Sequence, residues 1–436
     1  MNLVKASVAV VGLDIPADSK RGLKMESKIK DISLAPQGNK KIEWVKEKMA
    51  VLNKIKDEYI EDKPLKGKVV SICLHLEAKT AYMAIVLSEL GADVYITGSN
   101  PLSTQDDVAA ALSEYGVTVY SWRGETAEEY DDTLNKILEV EPNLIIDDGG
   151  DLVSKIHNEY PELINNIIGG AEETTTGIIR LKSLDNNNKL NFPMMSVNDA
   201  QAKYLFDNRY GTGQSVWESI MRNTNMVVAG KDVVIAGYGW CGKGVARRAT
   251  GLGARVIVTE VDPFKALEAK MDGFRVMPMD KAAEIGDIFI SVTGCKDVIT
   301  KSHYYVMKDG AILANAGHFN VEINVNDLKK VADDVKEVRD NIKSYDIGDK
   351  TLYLLAEGRL VNLAAGDGHP VEIMDMSFGL QVLSLLYLAE NDLLPGLYKV
   401  PDHIDKKVAN YRLEAEGINI DKLNYEQKQY LETWKI

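Results

Sequence analysis

Cysteine is scarce in this sequence, with three residues among 436. Cys73, Cys241 and Cys295 are odd in number, lie far apart and form no CxxC pair. Such spacing does not suit a disulfide framework or a zinc site, so we expect neither. The sequence therefore predicts a protein of a reducing compartment that has no metal site.

Long apolar runs and excess positive charge are also lacking. No apolar run approaches the ~18 residues of a membrane-spanning helix, and the patch Val8 to Leu13 is too short for a signal sequence. Met25 is an alternative start, and the sequence leaves that choice open. The formal net charge of -14 argues against nonspecific binding to nucleic acid. We expect a soluble, cytoplasmic protein with no membrane or nucleic-acid partner.

Short β-rich runs alternate with helical stretches in two successive series. The first starts at VVSICLH (69–75), and a helical pattern from Ala78 to Leu90 follows it. The second starts at DVVIAG (232–237) and ends at GAILANAG (310–317). This βαβ rhythm predicts an α/β fold of two doubly wound Rossmann-like domains. We expect a helix over 374–388 that returns to the first domain, and a short helical C-terminal arm.

A glycine-rich turn opens the second series. Gly237, Gly239 and Gly242 fit the GxGxxG pattern between a predicted strand and helix, where glycines allow a tight turn and close approach of a pyrophosphate. Glu260 ends the next strand, 23 residues after Gly237 (260 − 237 = 23). A carboxylate there binds both ribose hydroxyls and repels a 2′-phosphate. We therefore predict NAD and not NADP, and the alternative is a glycine turn without a cofactor.

Polar side chains cluster in the first domain at predicted strand ends and loops, where open α/β sheets bind ligands. The four segments are HLEAKT (75–80), DDGGD (147–151), EETTTG (172–177) and KYLFDN (203–208). Each also has a structural interpretation. Asp148 fits a helix cap, and His75 fits a hydrogen-bonded strand end. Lys203 and Asp207 fit an exposed i,i+4 ion pair.

A second polar set lies in the later half of the chain. The segment NAGH (315–318) ends a predicted strand, and Asn362 and GHP (368–370) lie near the return to the first domain. The sequence has six histidines. His318 follows a glycine at the expected edge of the cofactor site, so we expect it to be functional.

Several long motifs resemble those of the S-adenosyl-L-homocysteine hydrolase family over residues 41–431. They are NPLSTQDDVAAAL, SWRGETAEEY, DDGGDL, EETTTG, FDNRYG, AGYGWCGKG, AGHF and LAEGRLVNLA. The resemblance implies a homotetramer whose subunits act on a small nucleosyl-homocysteine thioether with tightly bound NAD. NAD would oxidise the ribose 3′ hydroxyl, removal of the 4′ hydrogen would expel homocysteine, and water addition and reduction would follow.

The resemblance also implies a division of the chain. We expect an N-terminal extension (1–40), a substrate-binding domain (41–206 and 366–405) and an NAD-binding domain (207–365), joined by a hinge. The last part (406–436) is then a C-terminal oligomerisation arm.

Roles follow for the residues that match the family's motifs. Lys203 and Asp207 would manage the 3′ hydroxyl proton, which suits a lysine of lowered pKa. Asp148 would act on the 4′ hydrogen, while His75 and His318 would transfer protons to the leaving thiol and from the entering water. The other expected substrate contacts are Glu77, Lys79, Thr80, Glu173 and His369. The expected NAD contacts are Thr174, Thr175, Thr176, Asn208, Gly237, Gly239, Trp240, Cys241, Gly242, Glu260, Thr293, Gly317, His318, Asn362 and His369.

Two residues near the expected purine depart from the family's pattern. Many members have threonine and either glutamine or glutamate where this chain has Glu77 and Lys79. Lys79 only donates and ionised Glu77 only accepts, which complements hypoxanthine better than adenine. We therefore hypothesise S-inosyl-L-homocysteine as substrate, with the S-adenosyl compound as the alternative. The structural interpretation is that the two side chains pair with each other or face solvent. Asp367 also departs, from an apolar position.

Two further departures and two other function classes bear on the hypothesis. Thr212 stands where many members have cysteine, and the chain ends at Ile436 without their Lys/Tyr-bearing tail, so we expect NAD to be held less tightly or by other contacts. A non-catalytic NAD-sensing module is one alternative class, which the presence of His75, Asp148 and Lys203 disfavours. An NAD-dependent hydroxy acid dehydrogenase is another, and it leaves DDGGD and EETTTG unexplained.

Overall fold

The computed structural model describes residues 26–434. The patch Val8 to Leu13 and the alternative start Met25 lie outside this range. The described helices are α1 (Ala35–Lys48), α2 (Ala50–Tyr59), α3 (Ala78–Glu89), α4 (Asp106–Glu114), α5 (Ala127–Leu138), α6 (Asp151–Asn158), α7 (Thr175–Asn186), α8 (Gln201–Lys203), α9 (Thr212–Thr224), α10 (Trp240–Gly251), α11 (Pro263–Met271), α12 (Met279–Ala283), α13 (Lys301–Val306), α14 (Val325–Val331), α15 (Val361–Ala364), α16 (Val371–Glu390), α17 (Asp402–Ala415) and α18 (Tyr425–Glu432). A π-helix, Tyr204–Gly211, follows α8.

The strands form two sheets. They are β1 (Val69–Cys73), β2 (Asp93–Thr97), β3 (Thr118–Val119), β4 (Leu144–Asp147), β5 (Gly169–Glu172), β6 (Pro193–Ser196), β7 (Asp232–Ala236), β8 (Arg255–Thr259), β9 (Arg275–Val276), β10 (Ile288–Ser291), β11 (Ile312–Asn315), β12 (Asp334–Arg339), β13 (Ile342–Ile347), β14 (Lys350–Leu355) and β15 (Gly396–Lys399). The first sheet has the order β15-β6-β5-β4-β1-β2-β3, and the second has the order β12-β13-β14-β11-β10-β7-β8-β9.

Both sheets are doubly wound, as the βαβ rhythm predicts. All pairs in the first sheet are parallel, and so are those from β9 to β14 in the second. Central strands such as β1, β4 and β10 are apolar and buried because helices cover both faces. The strand order reverses between β1 and β4 in one sheet and between β7 and β10 in the other, which is where such sheets bind ligands.

The second sheet is doubly wound as predicted, but it is not parallel throughout. Strands β12, β13 and β14 form an antiparallel meander at one edge. Asn341 and Gly348 adopt positive φ angles of 63° at its two tight turns, the conformation that such hairpins require. β12 is exposed along its whole length, so it lacks the apolar alternation by which a strand is detected in a sequence.

Helix α16 returns to the first domain, as expected, and forms part of its core. It packs against α2, α3, α17 and β5. It is the one described helix long and apolar enough to cross a membrane, with a mean hydropathy of 1.4. The expectation that no apolar run approaches that length is therefore wrong. The apolar window is 72% buried inside the protein, and Asp375, Ser377 and Gln381 are buried along it, so α16 is a core helix.

The domain boundaries stay predictions. Helix α1 begins at Ala35, before the expected boundary at residue 40, and packs against α3 and α4 of the first domain. Ile404 and Val408 of α17 belong to the same core, so the first part of the C-terminal arm contacts that domain. The exposed part of the arm lies beyond α17.

Candidate active site

A cavity of about 1240 Å³ lies between the two domains. Every residue expected to contact substrate or NAD lines it, with the exception of Gly242. Sites for a single small ligand usually measure about 300–1,000 Å³. The cavity therefore has room for a dinucleotide and a second molecule side by side.

Asp148, at the end of β4, lies between two imidazoles. Its Oδ2 is 3.3 Å from Nε2 of His75, and its Oδ1 is 3.6 Å from Nδ1 of His318. Ser99 donates a hydrogen bond to Oδ2 at 3.0 Å, while the buried Oδ1 has no hydrogen-bond partner within residues 26–434. A buried acceptor without a donor is suited to take a proton from a bound molecule.

His75 is a neutral imidazole at neutral pH. Burial lowers its pKa from 6.5 to about 4, although the nearby carboxylate of Asp148 acts to raise it. Its Nδ1 lies 2.7 Å from Oγ of Ser103, which fixes the ring. The ligand atoms of His75, Asp148 and His318 lie within 4.8 Å of one another, a spacing that a metal ion also requires, and the expected absence of a metal stays a prediction.

Lys203 and Asp207 form a buried ion pair in the cavity wall, not an exposed one. Nζ of Lys203 lies 2.7 Å from Oδ2 of Asp207 and 2.8 Å from Oδ1 of Asn208. Burial alone lowers the pKa of Lys203, but the carboxylates of Asp207 and Glu173 outweigh it and raise that pKa. The expectation of a lowered pKa is therefore wrong for this resting arrangement, because two carboxylates from different segments stabilise the ammonium form.

The π-helix explains how two successive residues contact Lys203. In an α-helix the residue at i+4 lies on the same face, and the residue at i+5 is turned away from it. The wider turn of Tyr204–Gly211 brings both Asp207 and Asn208 to the lysine. Such widened turns occur mostly at functional sites.

Glu173 connects the ion pair to helix α16. Ser377 and Gln381 each donate a hydrogen bond to its carboxylate at 2.6 Å, and Nζ of Lys203 lies 3.6 Å from it. Burial raises the pKa of Glu173, against the effect of the lysine. The carboxylate lines the cavity, where its remaining acceptor sites can hold hydroxyl groups.

The threonine run that follows Glu173 lines the cavity beside the pair. Thr174 caps helix α7 by accepting a hydrogen bond from the backbone N–H of Gly177 at 3.2 Å. Thr175 donates to Oδ1 of Asn198 at 3.2 Å, and Lys203 also contacts this atom. Thr176 lines the cavity as expected.

His369 links the ion pair to the return from the second domain. Its Nδ1 contacts Oδ1 of Asp207, and its Nε2 lies 3.3 Å from Oγ1 of Thr212. Burial alone raises the pKa of Asp207, but Lys203 and His369 outweigh it and hold that pKa well below its usual value. Thr212 also donates to Sγ of Cys241 at 3.6 Å and lines the cavity.

Glu77 and Lys79 pair with each other, as the structural interpretation holds, and both still line the cavity. Nζ of Lys79 lies 2.7 Å from Oε2 of Glu77 and donates to the backbone carbonyl of Asp367 at 2.9 Å. Glu77 also caps helix α3 by accepting from the backbone N–H groups of Lys79 and Thr80. An ammonium has three N–H donors, so one donor of Lys79 remains for a ligand.

The glycine-rich turn fits a dinucleotide. Gly237 has a φ of +104°, which the tight turn after β7 requires. A Cβ on Gly239 would meet nothing within 4 Å, whereas one on Gly242 would lie 2.1 Å from the carbonyl oxygen of Gly237. The second glycine therefore leaves open space for a pyrophosphate, and the third allows helix α10 to pack. Glu260 accepts from the backbone N–H of Tyr238 at 2.7 Å and lines the cavity beside Trp240.

The cavity wall around Asn362 and Gly317 suits a nicotinamide. Oδ1 of Asn362 is buried without a hydrogen-bond partner among the described residues, so it can accept from a carboxamide. Glu322, 1% exposed, accepts from the backbone and hydroxyl of Thr293 at 2.9 and 2.7 Å. A Cβ on Gly317 would lie 1.7 Å from Oε1 of Glu322, so a larger residue there would have to displace this hydrogen-bonded carboxylate.

The sequence analysis missed several polar residues that hydrogen-bond to the expected site residues. Among them are Ser99, Ser103, Asn198, Glu322, Ser377 and Gln381. Ser377 and Gln381 had a usable signal, because two polar residues at i and i+4 in an apolar helix share one face. Asn198 lies in the three-residue 3₁₀ helix Val197–Asp199 and Glu322 lies in a bend, and segments this short give no periodic signal.

Known proteins match this chain over nearly its whole length. The family model "S-adenosyl-L-homocysteine hydrolase" matches residues 26–162, and the model "S-adenosyl-L-homocysteine hydrolase, NAD binding domain" matches residues 208–368. The S-inosyl-L-homocysteine hydrolase of Methanocaldococcus jannaschii is 58% identical over 93% of this chain and 99% of its own length. The adenosylhomocysteinase of Pyrococcus abyssi is 56% identical over 93% of this chain and 97% of its own length. The adenosylhomocysteinase of Thermotoga maritima is 57% identical over 91% of this chain and 99% of its own length.

These matches agree with the geometry of the cavity. The matched NAD-binding model includes the glycine turn, Glu260 and Asn362, which the structure places along one half of the cavity. The relatives are hydrolases and not hydroxy acid dehydrogenases. The chain therefore belongs to the S-adenosyl-L-homocysteine hydrolase family and is a hydrolase of that type with bound NAD.

Proposed function

We propose that this protein reversibly hydrolyses S-inosyl-L-homocysteine to inosine and L-homocysteine. The observation that supports this substrate is the position of the Lys79 ammonium, held in the cavity wall by Glu77 and the carbonyl of Asp367. Its remaining N–H suits the carbonyl of hypoxanthine, while Glu77 can accept from the ring N–H. Adenine would set an amino donor against the ammonium and leave buried groups unpaired.

S-adenosyl-L-homocysteine is the alternative substrate. Relatives named for either substrate match this chain almost equally, at 58% and 57% identity. Overall similarity therefore does not separate the two bases, and the proposal depends on Glu77 and Lys79.

The first half of the proposed mechanism takes place at the ribose 3′ carbon. NAD, which the glycine turn, Glu260 and Asn362 would hold, would supply reversible hydride transfer at this carbon. Glu173 holds the ribose hydroxyls. Lys203, an ammonium in the resting site, stabilises the charge that develops on the 3′ oxygen. As it takes the proton of that oxygen, it gives one of its own protons to Asp207.

The second half removes homocysteine. A ketone at the 3′ carbon acidifies the 4′ hydrogen, and the free Oδ1 of Asp148 is placed to take this proton. The electron pair then expels the sulfur from the 5′ carbon. His75 and His318, on either side of Asp148, give a proton to the sulfur and take one from the water that adds. The oxygen of that water bonds to the 5′ carbon, and Asp148 returns the proton to the 4′ carbon. Reduction of the 3′ ketone then restores the hydroxyl, so the net reaction is hydrolysis.

The base preference can be tested by thiol release from the two substrates. We expect wild type to prefer the S-inosyl compound by roughly 10²-fold or more in kcat/KM. The Glu77→Thr/Lys79→Gln variant should shift the preference toward the S-adenosyl compound, and threonine keeps the cap of helix α3. Lys182→Gln, which removes an exposed ion pair, is the control. Equal or better use of the S-adenosyl compound by wild type would exclude the proposal.

We also propose a cytoplasmic homotetramer in which the C-terminal arm contacts neighbouring subunits. Ile420, Leu423, Tyr425 and Leu431 are 50–75% exposed along the arm, which supports a surface for another copy. Truncation after Ala415 should lower the oligomeric state in sedimentation. An unchanged tetramer would contradict the role of the arm.

Dialysis of the full chain, followed by measurement of retained NAD, tests how tightly the cofactor is held.

A further inference from the structure

Arg180, on helix α7 of the first domain, contacts the second domain at the edge of the cavity. Its Cζ lies 4.8 Å from the ring centroid of Phe319, in the loop after β11. Phe319 meets the ring of His318 edge to face, with the centroids 4.5 Å apart. The Arg180 guanidinium therefore contacts the residue that directly follows His318, a proposed proton-transfer group of the other domain.

The same guanidinium also holds the segment that carries Asp148. Its Nη1 donates to Oδ1 of Asp151 at 2.7 Å and to the carbonyl of Gly149 at 2.8 Å. Gly149 lies directly beside His318, since a Cβ on it would be 2.6 Å from Nε2 of that ring. Arg180 therefore contacts the loop after β4, through Gly149 and Asp151, and the loop after β11, through Phe319.

His318 requires such a support. The distance of 3.6 Å between its Nδ1 and Oδ1 of Asp148 is too long for a hydrogen bond. The carboxylate therefore does not fix the ring by itself. The ring of His318 also meets the rings of Phe319 and His75, with centroids 4.5 and 5.9 Å apart. Phe319 is the nearer of the two, and the Arg180 guanidinium lies over its phenyl ring.

We propose that Arg180 is a positioning residue, which by stacking on Phe319 sets His318 beside Asp148 for the release of homocysteine. The inference rests on the proposed function, because it uses the proton-transfer role given there to His318. Lys203 and Asp207 contact neither Arg180 nor Phe319 through any hydrogen bond of the described residues. The oxidation that they serve should therefore proceed without Arg180.

Two observations on one enzyme preparation separate these steps. Reduced nicotinamide that forms when substrate is added reports the oxidation, and free thiol reports the release of homocysteine. We expect Arg180→Gln to slow thiol release about fivefold, the strength of a partly exposed cation–π contact together with a lost fork of hydrogen bonds. The rate at which reduced nicotinamide forms should stay at the wild-type value. Arg180→Lys, which keeps the charge and loses the planar fork, should be intermediate.

A double-mutant cycle identifies the partner. If Arg180 acts through the phenyl ring, Phe319→Leu should also slow thiol release, and the double variant should be no slower than the slower single variant. Lys182→Gln, on the same helix but paired with Asp199, is the matched control. Retained NAD and thermal unfolding show that each variant is folded.

Three results would overturn the inference. They are unchanged thiol release in Arg180→Gln, an equal slowing of both steps, and effects of the two substitutions that simply multiply. Failure of the proposed function looks different, because wild type itself would then form no reduced nicotinamide and release no thiol from either nucleosyl-homocysteine.

Discussion

Lys203 and Asp207 face each other across one π-helical turn, with Nζ and Oδ2 2.7 Å apart and each side chain 5% exposed. Asn198, Asn208 and Glu173 complete the surroundings of the ammonium. The pair is therefore buried, satisfied and open to the cavity on one side. Removing one member leaves the other charge buried without its partner.

The substitution Lys203→Met should impair both activity and stability. Loss of the group that manages the 3′ proton should lower thiol release by roughly 10²–10⁴-fold. Among the described residues, Asp207 would keep only its contact with His369, and the loss of the ammonium should lower the free energy of unfolding by up to about 3–5 kcal/mol, measured by urea denaturation of the holoenzyme. The control Lys182→Met removes an exposed partner and should cost about 0–1 kcal/mol. Wild-type activity in Lys203→Met would contradict the assignment.

His75 should make the protein sensitive to acid. Its pKa is about 4 in the fold against 6.5 ordinarily, so the unfolded chain binds more protons between these values. Its contribution is present above pH 6.5 and is lost as the pH falls toward 4, up to about 3 kcal/mol in all. We expect His75→Gln to lose less stability between pH 7 and 5 than wild type, in denaturant midpoints.

The control for this pH series is the exposed His403. His403→Gln should keep the acid slope of wild type, since that residue is not buried. The assignment fails if His75→Gln and wild type have the same slope.

Two glycines of one turn should fail in different ways when replaced by alanine. Gly239→Ala adds a methyl group in open space where a pyrophosphate would lie, so NAD retained after dialysis should fall while the melting temperature of the apoprotein stays the same. Gly242→Ala places a Cβ 2.1 Å from a carbonyl oxygen, so the apoprotein itself should be destabilised by about 1–3 kcal/mol. Identical behaviour of the two variants would argue against the assigned roles.

Glu260 should set the preference for NAD over NADP. Its carboxylate would repel a 2′-phosphate, and Glu260→Gln removes that charge while it keeps an acceptor for the N–H of Tyr238. We expect weaker NAD binding, by roughly tenfold, and a smaller ratio of NAD to NADP affinity. Titration of both dinucleotides into the apoprotein measures this ratio, and a ratio unchanged from wild type would rule out the role.

Much of the fold could be predicted from the sequence because helices and parallel strands have distinct periodicities. The helix after β1, the glycine turn and the return of α16 were confirmed in place. The antiparallel edge was missed because β12 is exposed and carries no apolar alternation. The site residues could be named because they occur in motifs, but their contacts with Ser377 and Gln381 could not, since these lie 204 and 208 residues from Glu173.

The sequence by itself determined the two α/β domains, the dinucleotide turn and the family, because these depend on local pattern and on continuous motifs. Only the tertiary structure decided the charge state of Lys203, the pairing of Glu77 with Lys79 and the position of Arg180 over Phe319. Each of these depends on the distance between groups and on their removal from water. Electrostatic energies change steeply with this distance and with burial. Neither quantity can be obtained from the order of residues along the chain.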